Sequence, residues 1–410
     1  MSALPRERQL SASAQRAASA QRAVPARGGD GQFTGKPPRK IIIAPDSFKG
    51  ALSSKQVADV IGDAVSESFP GCEVIKMPIA DGGEGSAETI VGTLGGEMYT
   101  TTVLSPDDRM IEATFGITRN GTAILEMAQS SGLTRQIGLH PMTSSTYGFG
   151  QQIDAALRRG AEDFVLCIGG SATTDGGCGM AAALGARFID ARGNEFVPCG
   201  GALGSIERID ISGFDRRIGE SAFVVMCDVD NPLIGTNGAA YVYGRQKGAD
   251  PNQVFALDQG LCHLGSVLHE TFGRDFAGIA GAGAAGGLGA GCVAFLGASL
   301  MSGADAILDL CGFRERLPGT DLIITGEGKL DSQSFSGKVL SGLLREAGPV
   351  PVWSVCGVCD CDEALLSERG VRAFEASEGI SAAESMRDPE KYLCIAARKA
   401  MQAYLDCPAV

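Results

Sequence analysis

Histidine is scarce in this chain: His140, His263 and His269 are its three copies in 410 residues. None lies in a glycine-rich loop, so a Ser-His-Asp relay has no base to build on. Positive charge is short as well. The 35 Lys and Arg face 48 Asp and Glu, a net charge of −13, which argues against a nucleic-acid surface. No G-x-x-x-x-G-K-[ST] run occurs, which excludes the standard P-loop. Residues 1–39 contain no apolar h-region, so no secretory signal is expected. A charge-free stretch between Asp275 and Asp305 is dense in glycine and alanine. A loop at 281–289 and a buried helix at 292–300 are expected there rather than a membrane span.

What is abundant is glycine. It supplies 58 residues, about twice the ordinary ~7% share. With 44% hydrophobic residues, that suits tight turns and close approach of backbone to a ligand rather than disorder. The 13 cysteines are odd in number and mostly sit in apolar runs. They read as reduced thiols of a cytoplasmic compartment. Cys356, Cys359 and Cys361 form a tighter C-x-x-C-x-C group. No second ligand pair lies nearby, so neither a metal nor a redox role is favoured.

The chain pivots on 165–180, VLCIGGSATTDGGCGM. An apolar run ends in Gly169-Gly170, then come Ser171, Thr173, Thr174, Asp175 and Gly176-Gly177 before a helical pattern. Strand, glycine turn, helix is a form in which backbone N–H groups meet an anion. Asp175 within it suits a metal or a hydroxyl proton, because a bare phosphate would repel it.

Residues 1–39 are rich in Ala, Ser, Arg and Gln and lack any hydrophobic period, which predicts a disordered extension. A solvated tail of a cytoplasmic protein is preferred; an Arg-rich, acid-poor organelle-targeting segment is the alternative. From Lys40 the pattern is strand, loop, helix, twice over. The loops are Pro45-Asp46-Ser47-Phe48-Lys49-Gly50 and Ala80-Asp81-Gly82-Gly83-Glu84-Gly85. Parallel pairing follows, with both loops at one carboxyl edge. Strands near 99–103, 110–117 and 122–127, parted by short turns, then suggest a meander. Strands at 321–325 and 350–356, and a C-terminal helix, resume the α/β alternation. The expected fold is α/β: a discontinuous doubly wound domain (40–96 and 249–410) with an inserted mixed-sheet domain (97–248).

Gly281-Ala-Gly283-Ala-Ala-Gly286 formally matches the dinucleotide fingerprint, which keeps an NAD-dependent oxidoreductase open. The preceding strand is feeble. Several acidic, glycine-bounded loops with a few lysines remain: Asp46, Asp81, Glu84, Asp175, Asp228 and Glu327, with Lys49, Lys247, Lys329 and Lys338. That set fits phosphoryl transfer, in which the protein mainly positions groups and neutralises charge.

At this point the chain resembles the bacterial-type glycerate kinases, a two-domain α/β family unrelated to the P-loop kinases. The stretches that carry the resemblance are IAPDSFKGALS, PIADGGEGSAE, EMAQSSGL, IGGSATTDGGCGMAAALGARFID, CDVDNPLIGTNGAA, QKGAD, GAGAAGGLGAG and DLIITGEGKLDSQSFSGK, in one order over about 40–405. The resemblance implies ATP and Mg²⁺, D-glycerate as acceptor, a phosphoglycerate product with the phosphate at position 2 or 3, and a flavodoxin/Rossmann-like domain with an insertion. On this reading Gly170, Ser171, Thr173, Gly281, Gly283, Gly286, Gly287 and Lys338 meet the nucleotide phosphates. Asp228 and Glu327 hold Mg²⁺, and Lys49 and Lys247 neutralise oxyanions. Asp46, Ser47, Lys49 and Tyr147 line the acceptor site, and Asp81 or Asp175 is the base, in a cleft between two domains. A monomer or homodimer acting on a small molecule, without nucleic acid or membrane, is expected.

The sequence departs from the family pattern at three places. Ser145-Thr146-Tyr147-Gly148-Phe149-Gly150 stands where the family has Thr-Ser-Arg-Gly-Thr-Gly. Thr174 replaces an Asn, and Leu340 replaces a Pro. Loss of the arginine leaves a catalytically impaired, ligand-binding member as a further alternative.

Overall fold

The computed structural model describes residues 36–79, 85–335 and 339–406. Residues 1–35 of the expected 1–39 tail, Asp81 and Glu84 of the second acidic loop, and Lys338 lie outside the described residues. Among the described residues no helix is long and apolar enough to cross a membrane.

The chain divides into two compact units. One runs from 82 to 302; the other joins the segment ending at 81 to the segment starting at 303. The breaks therefore differ from the expected 96/97 and 248/249, and burial explains why. Helix Ser86–Leu94 takes its N-terminal cap from Glu126 of the first unit. Helix Pro251–Phe272 buries Leu257, Leu261, Leu264 and Leu268 in one core with Phe188 and Phe295. A four-residue leucine stripe belongs where its partners are, whatever the α/β rhythm around it suggests.

The second unit carries a five-stranded, all-parallel sheet. Its order is Val371–Glu375, Val352–Cys356, Leu322–Thr325, Lys40–Ile43, Glu73–Lys76. Ile41, Ile43, Leu322 and Ile324 enter a core with Trp353, Met401 and Tyr404, under helices Ser54–Ser68 and Pro389–Leu405. Their neighbours Ile42 and Ile323 point the other way and are equally buried, so both faces are covered, as a doubly wound sheet requires. Ser53 caps the first helix in a reciprocal bond with Gln56.

The first unit carries a six-stranded mixed sheet. Strands Ser299–Met301, Ala222–Met226, Asp163–Cys167 and Thr122–Glu126 are parallel; Met110–Thr118 and Gly96–Leu104 then add antiparallel. The expected meander is this antiparallel flank. The charge-free stretch differs from its reading as a loop followed by a helix at 292–300. A helix covers Ala284–Leu296, and Ser299–Met301 is an edge strand. Loops 127–133, 168–177 and 227–233 all leave the carboxyl ends of parallel strands, the edge at which open α/β sheets bind ligands.

Candidate functional site

In the first unit the loop at 168–177 is the centre. Two glycines allow it to turn: Gly176 and Gly177 have φ of +61° and +76°. The 127–133 loop lies along it, since Ala172 N–H donates to Ser131 O at 3.0 Å and Leu133 N–H to Gly170 O at 3.0 Å. Lys247, on the short helix Arg245–Lys247, meets the 168–177 loop with 2% of its surface exposed. Its Nζ donates to Ser171 Oγ at 3.0 Å and to Thr173 O at 2.6 Å. Burial away from water holds this ammonium down to about 7, with the Asp175 charge pulling the other way. Ser131 Oγ, Thr173 Oγ1 and Thr174 Oγ1 are buried and have no hydrogen-bond partner among the described residues. Buried hydroxyls without a partner are costly unless a ligand or water satisfies them.

Asp175, expected with Asp81 as one of two candidate bases, is enclosed by the protein. It has no exposed surface, and four donors surround it: Thr146 N–H at 2.7 Å, Thr146 Oγ1 at 2.8 Å, and Gly177 and Gly179 N–H at 3.2 Å each. Burial raises its carboxyl, against those bonds. The side chain ties the 168–177 loop to the start of helix Tyr147–Arg158. Thr146 Oγ1 extends the tie by accepting from Met180 N–H at 2.9 Å. Tyr147 thus stands at a fixed helix start beside this loop, half-buried, its N–H donating to Ser145 Oγ at 3.2 Å.

Four of the glycines expected at the phosphates are packed against backbone. Gly281, Gly283, Gly286 and Gly287 are all buried. A Cβ on Gly286 would lie 2.0 Å from Thr173 O, and one on Gly283 would lie 2.2 Å from Pro232 O. Gly176 N–H donates to Gly286 O at 3.1 Å. These glycines let the 281–289 segment press against the Ser171–Asp175 loop from within. Ala285, Gly286 and Gly287 form a left-handed kink there, with Ala285 at φ 52°. No strand delivers the chain into this turn, so the dinucleotide fingerprint lacks its context. Asp228 is exposed just past strand Ala222–Met226, at the same carboxyl edge. Gly170 is exposed, with φ +74°.

The second unit gathers its own set. Asp46 N–H donates to Gly326 O at 2.8 Å, which brings the 45–50 loop against 326–330. Asp46 and Ser47 are half-buried and Lys49 is exposed. Ser334 Oγ donates to the Glu327 carboxylate at 2.7 Å. Asp228 and Glu327, expected as joint metal ligands, belong to different units. Among the described residues no three His, Cys, Asp or Glu side chains gather as a metal-binding group.

Sequence reasoning missed Glu126 and Ser131. Glu126 is buried and accepts from Ala87 N–H at 2.8 Å and Gly85 N–H at 3.1 Å, a carboxylate on a helix N-terminus. A buried acid ending a β-rich run, as in Ala123–Glu126, was the available signal.

The family described as the Glycerate kinase family matches residues 41–405. A glycerate kinase of Bacillus subtilis (strain 168) is 42% identical over 340 residues, 82% of this chain and 89% of that protein. A glycerate 2-kinase of Escherichia coli (strain K12) is 40% identical over 366 residues, 88% and 96% of the two chains. The crystal structure of a glycerate kinase 2 from Salmonella typhimurium LT2 superposes with a TM-score of 0.80 at 36% identity, covering 89% of this chain and 98% of that one. With the anion-ready loop, the two α/β units and these likenesses in agreement, the chain belongs to the glycerate kinase family.

Proposed function

We propose that this chain transfers the terminal phosphoryl group of ATP to D-glycerate, giving 2-phosphoglycerate. The observation that carries the reading is the buried Lys247 under the Ser171–Thr173 turn, where the Thr173 hydroxyl has no partner among the described residues. A phosphate bound there would favour the charged form of Lys247, which burial alone disfavours. The Escherichia coli relative's name, glycerate 2-kinase, supports position 2 of glycerate as the accepting hydroxyl.

The roles follow from chemistry. Ser171, Thr173 and Thr174 donate to phosphate oxygens, and Lys247 is a positioning residue that holds Ser171 and charges the loop from below. Asp228 is the ligand assigned to Mg²⁺. Its exposed carboxylate would offer that ion one oxygen-donor side chain. Bound there, Mg²⁺ neutralises charge on the phosphates. Asp175, with its oxygens already occupied, positions the loop. That leaves Asp81 as the base for the glycerate hydroxyl; Tyr147 in the first unit, and Asp46, Ser47 and Lys49 in the second, are each candidates for binding the acceptor. Glu327, bonded to Ser334, anchors its own loop.

Asp228→Asn at saturating Mg²⁺ tests the assignment. Turnover falls by roughly a hundredfold or more with the melting temperature unchanged. Full activity would remove Asp228 from the metal.

A further inference from the structure

Of the stretch CDVDNPLIGTNGAA at 227–240, only Asp228 has a part in this chemistry, yet the loop is fastened on Asn231. Both ends of that amide are used. Oδ1 accepts from Tyr243 O–H at 2.7 Å, and Nδ2 donates to Asn237 O at 2.8 Å. Turning the amide over would set its oxygen against the Asn237 carbonyl, so the partners fix its orientation. Asn237 lies just before helix Ala239–Tyr243, and Tyr243 is the last residue of that helix. One side chain therefore grips the helix at both ends. The main chain adds a third tie, since Gly283 N–H donates to Asn231 O at 2.9 Å.

These ties lead to the Ser171–Thr173 turn and to Lys247, all within the first unit. Gly244 joins helix Ala239–Tyr243 to helix Arg245–Lys247. Gly244 N–H donates to Ala240 O at 2.8 Å and Lys247 N–H to Gly244 O at 3.1 Å, so the phenol and the buried ammonium share one run of helical turns. Gly283 belongs to the 281–289 segment, whose Gly286 O accepts from Gly176 N–H at 3.1 Å. Tyr243 is half-buried, and burial pushes its phenol above the ordinary range, which keeps it a donor. Asp228 stands three residues before Asn231, at the free end of the same loop.

We propose that Asn231 and Tyr243 are positioning residues for phosphoryl transfer: their bond holds the Asp228 carboxylate in register with Lys247, so that Mg²⁺ and the phosphates are met together. The inference rests on the assignment of Asp228 to Mg²⁺. Deleting the phenol oxygen keeps the ring and the helix but lets the 228–231 chain shift against Lys247. A misplacement of about 1 Å in such a site costs up to ~100-fold in rate.

The test titrates the full chain by calorimetry with a non-hydrolysable ATP analogue, once with Mg²⁺ and once with a chelator, and follows steady-state turnover beside it. Mg²⁺ should tighten the analogue on the unsubstituted chain. Tyr243→Phe should weaken the Mg²⁺-bound form by about tenfold and lower kcat, with the metal-free affinity, the KM for glycerate and the melting temperature unchanged. Asn231→Ala should lose at least as much, and the double variant no more than Asn231→Ala alone, because the same bond is missing from both. Asp258 accepts from Gly235 N–H at 2.9 Å, a separate tie of the same loop. Asp258→Asn should lower the melting temperature and keep the gain from Mg²⁺. Equal weakening with and without Mg²⁺, an additive double variant, or the same loss in Asp258→Asn would overturn the positioning role. Asp228→Asn should lose the gain altogether. If it keeps the gain, the metal assignment fails; a gain kept by Tyr243→Phe and lost by Asp228→Asn overturns the coupling alone.

Discussion

Asp175, Lys247 and Tyr147 lie in neighbouring loops, and each does something its residue type alone does not say. Asp175 is held by four donors, so an amide in its place turns an N–H₂ toward N–H and O–H groups. Asp175→Asn should cost about 1.5–3 kcal/mol of stability, read from denaturant unfolding. Lost turnover at full stability would return it to the role of base. Lys247, at about 7 when folded against an ordinary ~10.4, is neutral in the folded state above that pH and charged in the unfolded one. The unfolded chain then holds the extra proton, so this group's contribution to stability rises with pH from about 7 to about 10.4. A bound phosphate reverses the preference. ATP binding at about pH 8 should therefore take up protons, seen by calorimetry in buffers of different ionisation heat, and Lys247→Met should abolish the uptake. Tyr147 replaces a guanidinium fork with a single uncharged donor. Tyr147→Arg should lower the KM for glycerate by roughly ten- to a hundredfold with the KM for ATP unchanged. A glycerate KM that stays or rises would take Tyr147 out of the acceptor pocket.

The kinked helix Ala284–Leu296 carries the clearest lesson at the scale of elements. Gly286 has no room for a side chain, its Cβ position being 2.0 Å from Thr173 O, whereas Gly297, also left-handed, has nothing within 4 Å. Gly286→Ala should cost about 2–4 kcal/mol and disturb the Ser171–Thr173 turn, and Gly297→Ala only about 1 kcal/mol. Equal losses in denaturant titrations would refute the packing role. Glycine spacing in 281–289 gave no hint of this, because a glycine that admits a phosphate and one that admits another backbone are the same residue. Periodic elements were far more legible. The 54–68 helix, the parallel pairing of Lys40–Ile43 with Glu73–Lys76, and the antiparallel flank all follow from local patterning. Strand Ser299–Met301 was not legible, as three residues carry no period.

At the scale of the whole molecule, the α/β class and the two-unit organisation could be read from the alternation of strand and helix, but not where the second unit resumes. Helix Pro251–Phe272 has a leucine stripe that would suit either unit, and only its partners assign it. The candidate site divides in the same way. Glycine turns at strand ends located the Ser171 loop, while the burial of Asp175 and Lys247 depends on contacts across 29 and 76 residues, which spacing does not reveal. The account's central claim is that these loops serve phosphoryl transfer to glycerate. The most direct measurement incubates the full chain with ATP, Mg²⁺ and D-glycerate and follows phosphorus-31 and carbon-13 resonances of the product. The account predicts ADP and 2-phosphoglycerate in equal amounts, with no ADP when glycerate is omitted. Nucleotide binding with no phosphorylated acid, from glycerate or any related hydroxy acid, would contradict it.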